Sequence, residues 1–122
     1  MSKTILTVDD SRTMRDMLRL ALTGAGHAVI QAEDGLAGVE ALAGYGAIDV
    51  IITDINMPRL DGYGFIDHVR ADPLHRGTPI LVLTTESDPA RKARAREAGA
   101  TGWIVKPFDP AKLLAAVSKV SP

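Results

Sequence analysis

Val50-Ile51-Ile52-Thr53-Asp54-Ile55-Asn56-Met57-Pro58 is the stretch on which the fold turns. Three aliphatic residues and a threonine, too few for a helix, run into an aspartate and then a turn. A short apolar run bounded in this way suits a strand buried on both faces, as in a parallel sheet. Three further runs end in the same manner. Ile5-Leu6-Thr7-Val8 meets Asp9-Asp10, Ile80-Leu81-Val82-Leu83 meets Thr84, and Trp103-Ile104-Val105 meets Lys106.

Between these runs lie longer segments of helical period, so the chain reads as (βα)5. The first helix spans about Ser11 to Thr23, with Met14, Met17, Leu18 and Ala21 as its apolar stripe and Gly24 and Gly26 as its stop. Strand two is Ala28 to Ala32, and helix two runs from about Gly35 to Ala43. Strand three is Val50 to Asp54, and helix three covers about Tyr63 to Ala71 with Phe65, Ile66 and Val69 inward. Strand four is Pro79 to Thr84, and helix four opens on the pair Asp88-Pro89, a cap followed by a first-turn proline. Strand five is Gly102 to Val105. Asp109-Pro110 repeats the cap-and-proline start for helix five, whose stripe is Leu113, Leu114, Val117 and Val120. Such alternation predicts an α/β fold, a doubly wound five-stranded parallel sheet with right-handed crossovers.

At 122 residues the chain is expected to be one domain, without a separate output domain. A net charge of −1 argues against nucleic-acid binding by bulk charge. No cysteine is present, which excludes disulfides, thiolate metal sites and a cysteine nucleophile. Acids at positions 9 and 10 come too early for a signal-peptide core, and no apolar stretch approaches the ~20 residues of a membrane helix. A cytoplasmic monomer is the expectation.

As neighbouring parallel strands, the four runs bring three carboxylates, a hydroxyl and an ammonium to one sheet edge, where open α/β sheets hold ligands. Three carboxylates repel one another and call for a hard cation, while the lysine and hydroxyl suit an anion. Asp54 is then a candidate nucleophile for a phosphoryl group, giving an acyl phosphate. Asp9 and Asp10, being adjacent, point in different directions, one toward a metal and the other toward metal-bound water. Lys106 is placed to pair with Asp54 at rest and with a phosphoryl group afterwards, and Thr84 to donate its hydroxyl to a phosphoryl oxygen. Taken singly, each residue has an ordinary explanation: a turn aspartate, a helix cap, a surface lysine, a β-branched strand residue. Four such residues at the ends of four strands do not.

On the segments Val8-Asp9-Asp10-Ser11, Thr53-Asp54-Ile55-Asn56-Met57-Pro58, Asp61-Gly62, Leu83-Thr84 and Val105-Lys106-Pro107-Phe108, the whole chain resembles the receiver domains of two-component response regulators. Asp9-Asp10-Ser11-Arg12-Thr13-Met14-Arg15 makes it most similar to the CheY-like single-domain chemotaxis regulators. The resemblance implies strand order 2-1-3-4-5 and a Mg²⁺ held by Asp10, Asp54 and the backbone carbonyl of Asn56, with Asp9 helping through water. It implies a phosphohistidine donor on a sensor histidine kinase of the CheA type, and a flagellar motor switch protein as one possible target. It also implies that Asn56 and Glu86, two residues after Asp54 and Thr84, tune self-hydrolysis. The chain departs from the family pattern at two positions. Thr85 stands where a small residue usually guards access to the phosphoryl group. Trp103 stands where the switch aromatic is usually Tyr or Phe, and an indole is larger and carries only an N–H donor.

Arg91, Lys92, Arg94 and Arg96 form a basic run on helix four. It is either a solvated face or, with Trp103, a docking surface for an acidic partner. His27, His68 and His75 have no partner at metal-ligand spacing and read as structural or solvated. Within the receiver reading, a phosphate sink or a phosphorelay intermediate are the alternatives to motor control. Two other classes use parts of the same residue set. A haloacid-dehalogenase-type phosphatase wants a second aspartate two residues after the nucleophile, where this chain has Asn56. A flavodoxin-like FMN carrier would set its phosphate beside Asp9 and Asp10, which repel it.

Overall fold

A computed structural model describes residues 2–122. Strands and helices alternate strictly: β1 (Thr4–Val8), α1 (Arg12–Gly24), β2 (Ala28–Ala32), α2 (Gly35–Tyr45), β3 (Val50–Thr53), α3 (Gly62–Ala71), β4 (Ile80–Thr84), α4 (Pro89–Ala98), β5 (Gly102–Val105) and α5 (Pro110–Val120). The five strands form one sheet in the order β2-β1-β3-β4-β5, every pairing parallel. The chain winds outward from β1 in both directions. The crevice between β1 and β3, at their carboxyl ends, is therefore the topological switch point at which such sheets bind ligands.

Strand side chains alternate between two apolar layers, as the period of two requires. Leu6, Val8, Ile51, Ile80 and Val82 join Phe65, Ile66 and Val69 in the layer under α2, α3 and α4. Ile5, Val50, Ile52, Leu81 and Leu83 join Leu18, Leu22, Leu113 and Val117 in the layer under α1 and α5. Both faces are covered, and this explains why the strands read as continuous apolar runs rather than alternating ones.

Helix starts follow the capping residues. Ser11, Asp34, Asp61 and Asp88 each accept a hydrogen bond from a first-turn backbone N–H, those of Met14, Ala37, Gly64 and Ala90. Asp109 occupies the cap position of α5 without making such a bond, so the proline alone sets that start. The stripe expected on α1 is corrected at one position. Met17 is 43% exposed, and Leu22, one turn beyond Leu18, is the buried residue instead. The sequence pattern also omitted Tyr63 from the inward face of α3, although it lies three residues before Ile66 and is buried. Helix α4 buries only Ala95 fully, so little apolar area holds it to the sheet. Among the described residues, no helix is long and apolar enough to cross a membrane.

Candidate functional site

Four of the five strands, β1, β3, β4 and β5, deliver polar residues to the same end of the sheet because the register is in step across it. Val8 pairs with Thr53, Thr53 with Val82, and Thr84 with Val105. One residue beyond each strand, the ladder continues. Asp54 N donates to Val8 O at 2.9 Å, Asp9 N to Ala32 O at 3.1 Å, and Lys106 N to Thr84 O at 2.8 Å. Asp54, Asp9 and Lys106 are thus fixed through their main chains before any side chain is considered.

The side chains converge. Lys106 Nζ lies 2.8 Å from Asp54 Oδ2 and 2.8 Å from Asp9 Oδ2. The remaining oxygen of each carboxylate is also taken: Asp54 Oδ1 accepts from Ile55 N at 2.7 Å, and Asp9 Oδ1 from Ser11 N at 2.9 Å. Asp9 and Asp54 are buried while Asp10 is exposed, and carboxylate oxygens of all three lie within 4.8 Å of one another. Burial pushes the Asp9 carboxyl above its ordinary value, against the hydrogen bonds from Lys106 and Ser11. Burial also works to lower the Lys106 ammonium, but its hydrogen bonds to Asp54 and Asp9 outweigh that and hold it above its usual value. The lysine therefore stays charged and partly compensates the acids. The Lys106–Pro107 peptide bond is cis.

The donor set suits a hard divalent cation. All three candidate ligands are carboxylate oxygens, and Asp10 is exposed, which suits an ion such as Mg²⁺ that retains several waters. Asn56 is exposed two residues after Asp54. Gly62 closes the loop behind the site by donating its N–H to Ile55 O at 2.8 Å. An added Cβ there would meet Asp54 O at 2.3 Å, so only glycine lets α3 start this close to Asp54.

Thr84 is fully buried, and its Oγ1 accepts from Glu86 N at 3.3 Å. Thr85 is exposed. The Glu86 carboxylate is directed to the start of α4, where Oε1 accepts from Asp88 N at 3.0 Å and Oε2 lies 3.6 Å from Arg91 Nε. The basic run is partly engaged within the molecule, which the sequence did not reveal. Arg91 pairs with Glu86, and the Arg94 guanidinium sits 4.2 Å from the centre of the Tyr63 ring. Lys92 and Arg96 border a cleft between α4 and β5 that Trp103 also lines. Trp103 is half-buried, packing against the α2–α4 layer. His75 is buried and structural, with hydrogen bonds at 3.2 Å to Asp72 and 2.9 Å to the Gly46 carbonyl.

The response regulator receiver domain model matches residues 5–118. A chemotaxis protein CheY homolog of Campylobacter jejuni is 40% identical over 107 residues, 87% of this chain and 82% of the relative. Chemotaxis protein CheY1 of Helicobacter pylori is 39% identical over 107 residues, covering 87% of this chain and 86% of the relative. The crystal structure of Vibrio cholerae chemotaxis response regulator CheY4 superposes with a TM-score of 0.91 at 41% identity, over 98% of this chain and 99% of that one. The receiver domain of a Pseudomonas aeruginosa sensor histidine kinase, with magnesium coordinated in its active-site cleft, superposes with a TM-score of 0.89 at 27% identity, over 98% and 97%.

Proposed function

The chain belongs to the response regulator receiver domain family, and on that premise we propose that it accepts a phosphoryl group on Asp54 from a kinase phosphohistidine and thereby switches partner binding in chemotaxis. The observation that carries this reading is the placement of Lys106 Nζ at 2.8 Å from both Asp54 and Asp9, inside a cluster of three carboxylates at the switch point of the sheet.

In the transfer, an Asp54 oxygen forms a bond to phosphorus while the phosphorus–nitrogen bond of the donor breaks, and the imidazole leaves. Lys106 holds Asp54 at rest and then balances the added negative charge on the phosphoryl oxygens. Thr84 Oγ1 already accepts from Glu86 N, which leaves its O–H to donate to a phosphoryl oxygen. Asp10, Asp54 and the Asn56 carbonyl would hold Mg²⁺, with Asp9 acting through water. When bound, the ion neutralises charge on the carboxylates and on the incoming phosphoryl group. Asn56 and Glu86 set the rate of self-hydrolysis. A sensor kinase of the CheA type is the proposed donor and a motor switch component the proposed target, since the chemotaxis proteins named above share most of this chain's length.

The test is mass spectrometry after treatment with a small phosphodonor. Phosphorylation on Asp54 is expected to require Mg²⁺ and to vanish in Asp54→Ala. Replacing Asp10 should abolish most metal binding, whereas Lys106→Ala should retain metal binding and lose the conformational response. Phosphate on a histidine or serine would overturn the reading.

A further inference from the structure

We propose that Arg91 is a positioning residue that sets the lifetime of the phosphoryl group on Asp54 by holding the Glu86 carboxylate away from it. This inference rests on the function proposed above and assigns a control element to the same site.

The main chain of Glu86 belongs to the site, since its N–H donates to Thr84 Oγ1 at 3.3 Å. Its side chain does not. One carboxylate oxygen accepts from Asp88 N at 3.0 Å, and the other lies 3.6 Å from Arg91 Nε. Only the second of these contacts depends on a side chain that can be removed. While both are made, the Glu86 carboxylate is held toward the start of α4 and turns less often to water approaching the phosphorus.

Arg91 contributes to α4 docking by a separate route. Its backbone carbonyl accepts from Tyr63 Oη at 3.2 Å, and Tyr63 is buried under Arg94. An alanine at position 91 keeps that carbonyl. Removing the guanidinium therefore loosens Glu86, which then keeps only its contact to Asp88 N, while leaving the contact between α3 and α4 intact. In hydrolysis, a water oxygen bonds to phosphorus, the bond from phosphorus to the Asp54 oxygen breaks, the Asp54 carboxylate is regenerated, and inorganic phosphate leaves as the dihydrogen anion with both of the water's protons. A Glu86 carboxylate with one restraint fewer orients that water more often, and orientation carries much of the catalysis in such steps. The Arg91 and Glu86 side chains are 48% and 24% exposed, so the restraint is a modest one.

The experiment loads the full chain with a small phosphodonor and Mg²⁺, removes the donor, and follows loss of the acyl phosphate. Arg91→Ala should shorten the lifetime about two- to fivefold, the size of effect an exposed ion pair supports. Arg91→Lys, which restores a cation without the planar fork, should fall between alanine and wild type. In a Glu86→Ala background, Arg91→Ala should produce no further change, and the thermal midpoint of Arg91→Ala should match that of the wild type. An unchanged or longer lifetime in Arg91→Ala overturns the proposal, as does equal shortening with Glu86 absent. If the wild type takes no phosphoryl group on Asp54, the functional reading fails and this inference falls with it.

Discussion

Arg59 grips Asp34 with two hydrogen bonds, Nε to Oδ2 at 2.6 Å and Nη2 to Oδ1 at 3.0 Å, and does so from a left-handed backbone at φ 65°. That conformation is costly for a residue bearing a Cβ, and here the surrounding contacts hold it. Asp34 also caps α2 through Ala37 N, and the neighbouring Gly35 N donates to Leu60 O at 3.1 Å. The start of α2 is thereby fastened to the loop that follows Asp54 and carries Asn56.

Loss of this clasp should be visible in stability. Asp34→Ala removes a helix cap and leaves Arg59 in a strained conformation without its partner. A loss of about 1–2 kcal/mol is expected in urea unfolding. A variant as stable as the wild type would show that the Gly35–Leu60 contact holds the loop unaided.

The same pair imposes a pH dependence. The Arg59 guanidinium, aided by Ala37 N–H, holds the Asp34 carboxyl below its ordinary value. A depressed folded-state value means stability that is fully present above about pH 4 and is lost as pH falls through the folded value. Asp72 has the same sign, through Leu74 N–H and His75. The thermal midpoint of Asp34→Asn should therefore fall less steeply than that of the wild type below about pH 4. Parallel curves for the two proteins would show that Asp34 is not a source of the acid limb.

Gly62→Ala tests the close approach behind the nucleophile. The added methyl group would meet the Asp54 carbonyl oxygen at 2.3 Å and the Ile55 Cα at 2.7 Å, so the loop must move. A destabilisation of about 1–3 kcal/mol, together with slower phosphorylation, is the expected outcome. Wild-type phosphorylation kinetics in this variant would show that the position of the Asp54 main chain is unimportant.

Phosphoryl lifetime should depend on the polar pair at positions 56 and 86. Replacing both Asn56 and Glu86 with apolar residues should lengthen it by roughly tenfold or more, about 1.4 kcal/mol of barrier. An unchanged decay rate in the double variant would transfer control to Thr85 or to another group.

Trp103, the chain's one tryptophan, reports on output. It lies three residues before Lys106 on β5, roughly 10 Å away at ~3.3 Å per residue, and lines the cleft with Lys92 and Arg96. Mg²⁺ with a phosphoryl mimic should change its fluorescence in the wild type and not in Asp54→Ala. The face formed by α4, β5 and α5 should bind acidic partner segments, with association faster at low salt. Flat fluorescence alongside intact switching would mark Trp103 as static and place the output on another face.

The element order, the Asp-Pro starts of α4 and α5, and the polar residues that close four of the strands were legible in the chain itself. Those signals are local: a period of two or 3.6, a proline after an aspartate, an apolar run meeting Asp54 or Lys106. Strand order came from family likeness rather than from periodicity, because local patterns do not say which strands pair. Tertiary packing added the contact of Lys106 to Asp9 beside the expected one to Asp54, since residues 9, 54 and 106 meet through the in-step register of β1, β3, β4 and β5. It likewise decided that Leu22, not Met17, fills the α1 stripe, that Glu86 faces Arg91, and that Tyr63 lies beneath Arg94. In each case the cause is physical. A side chain settles on the neighbour that packing brings within a few ångströms, and that neighbour can lie far along the chain.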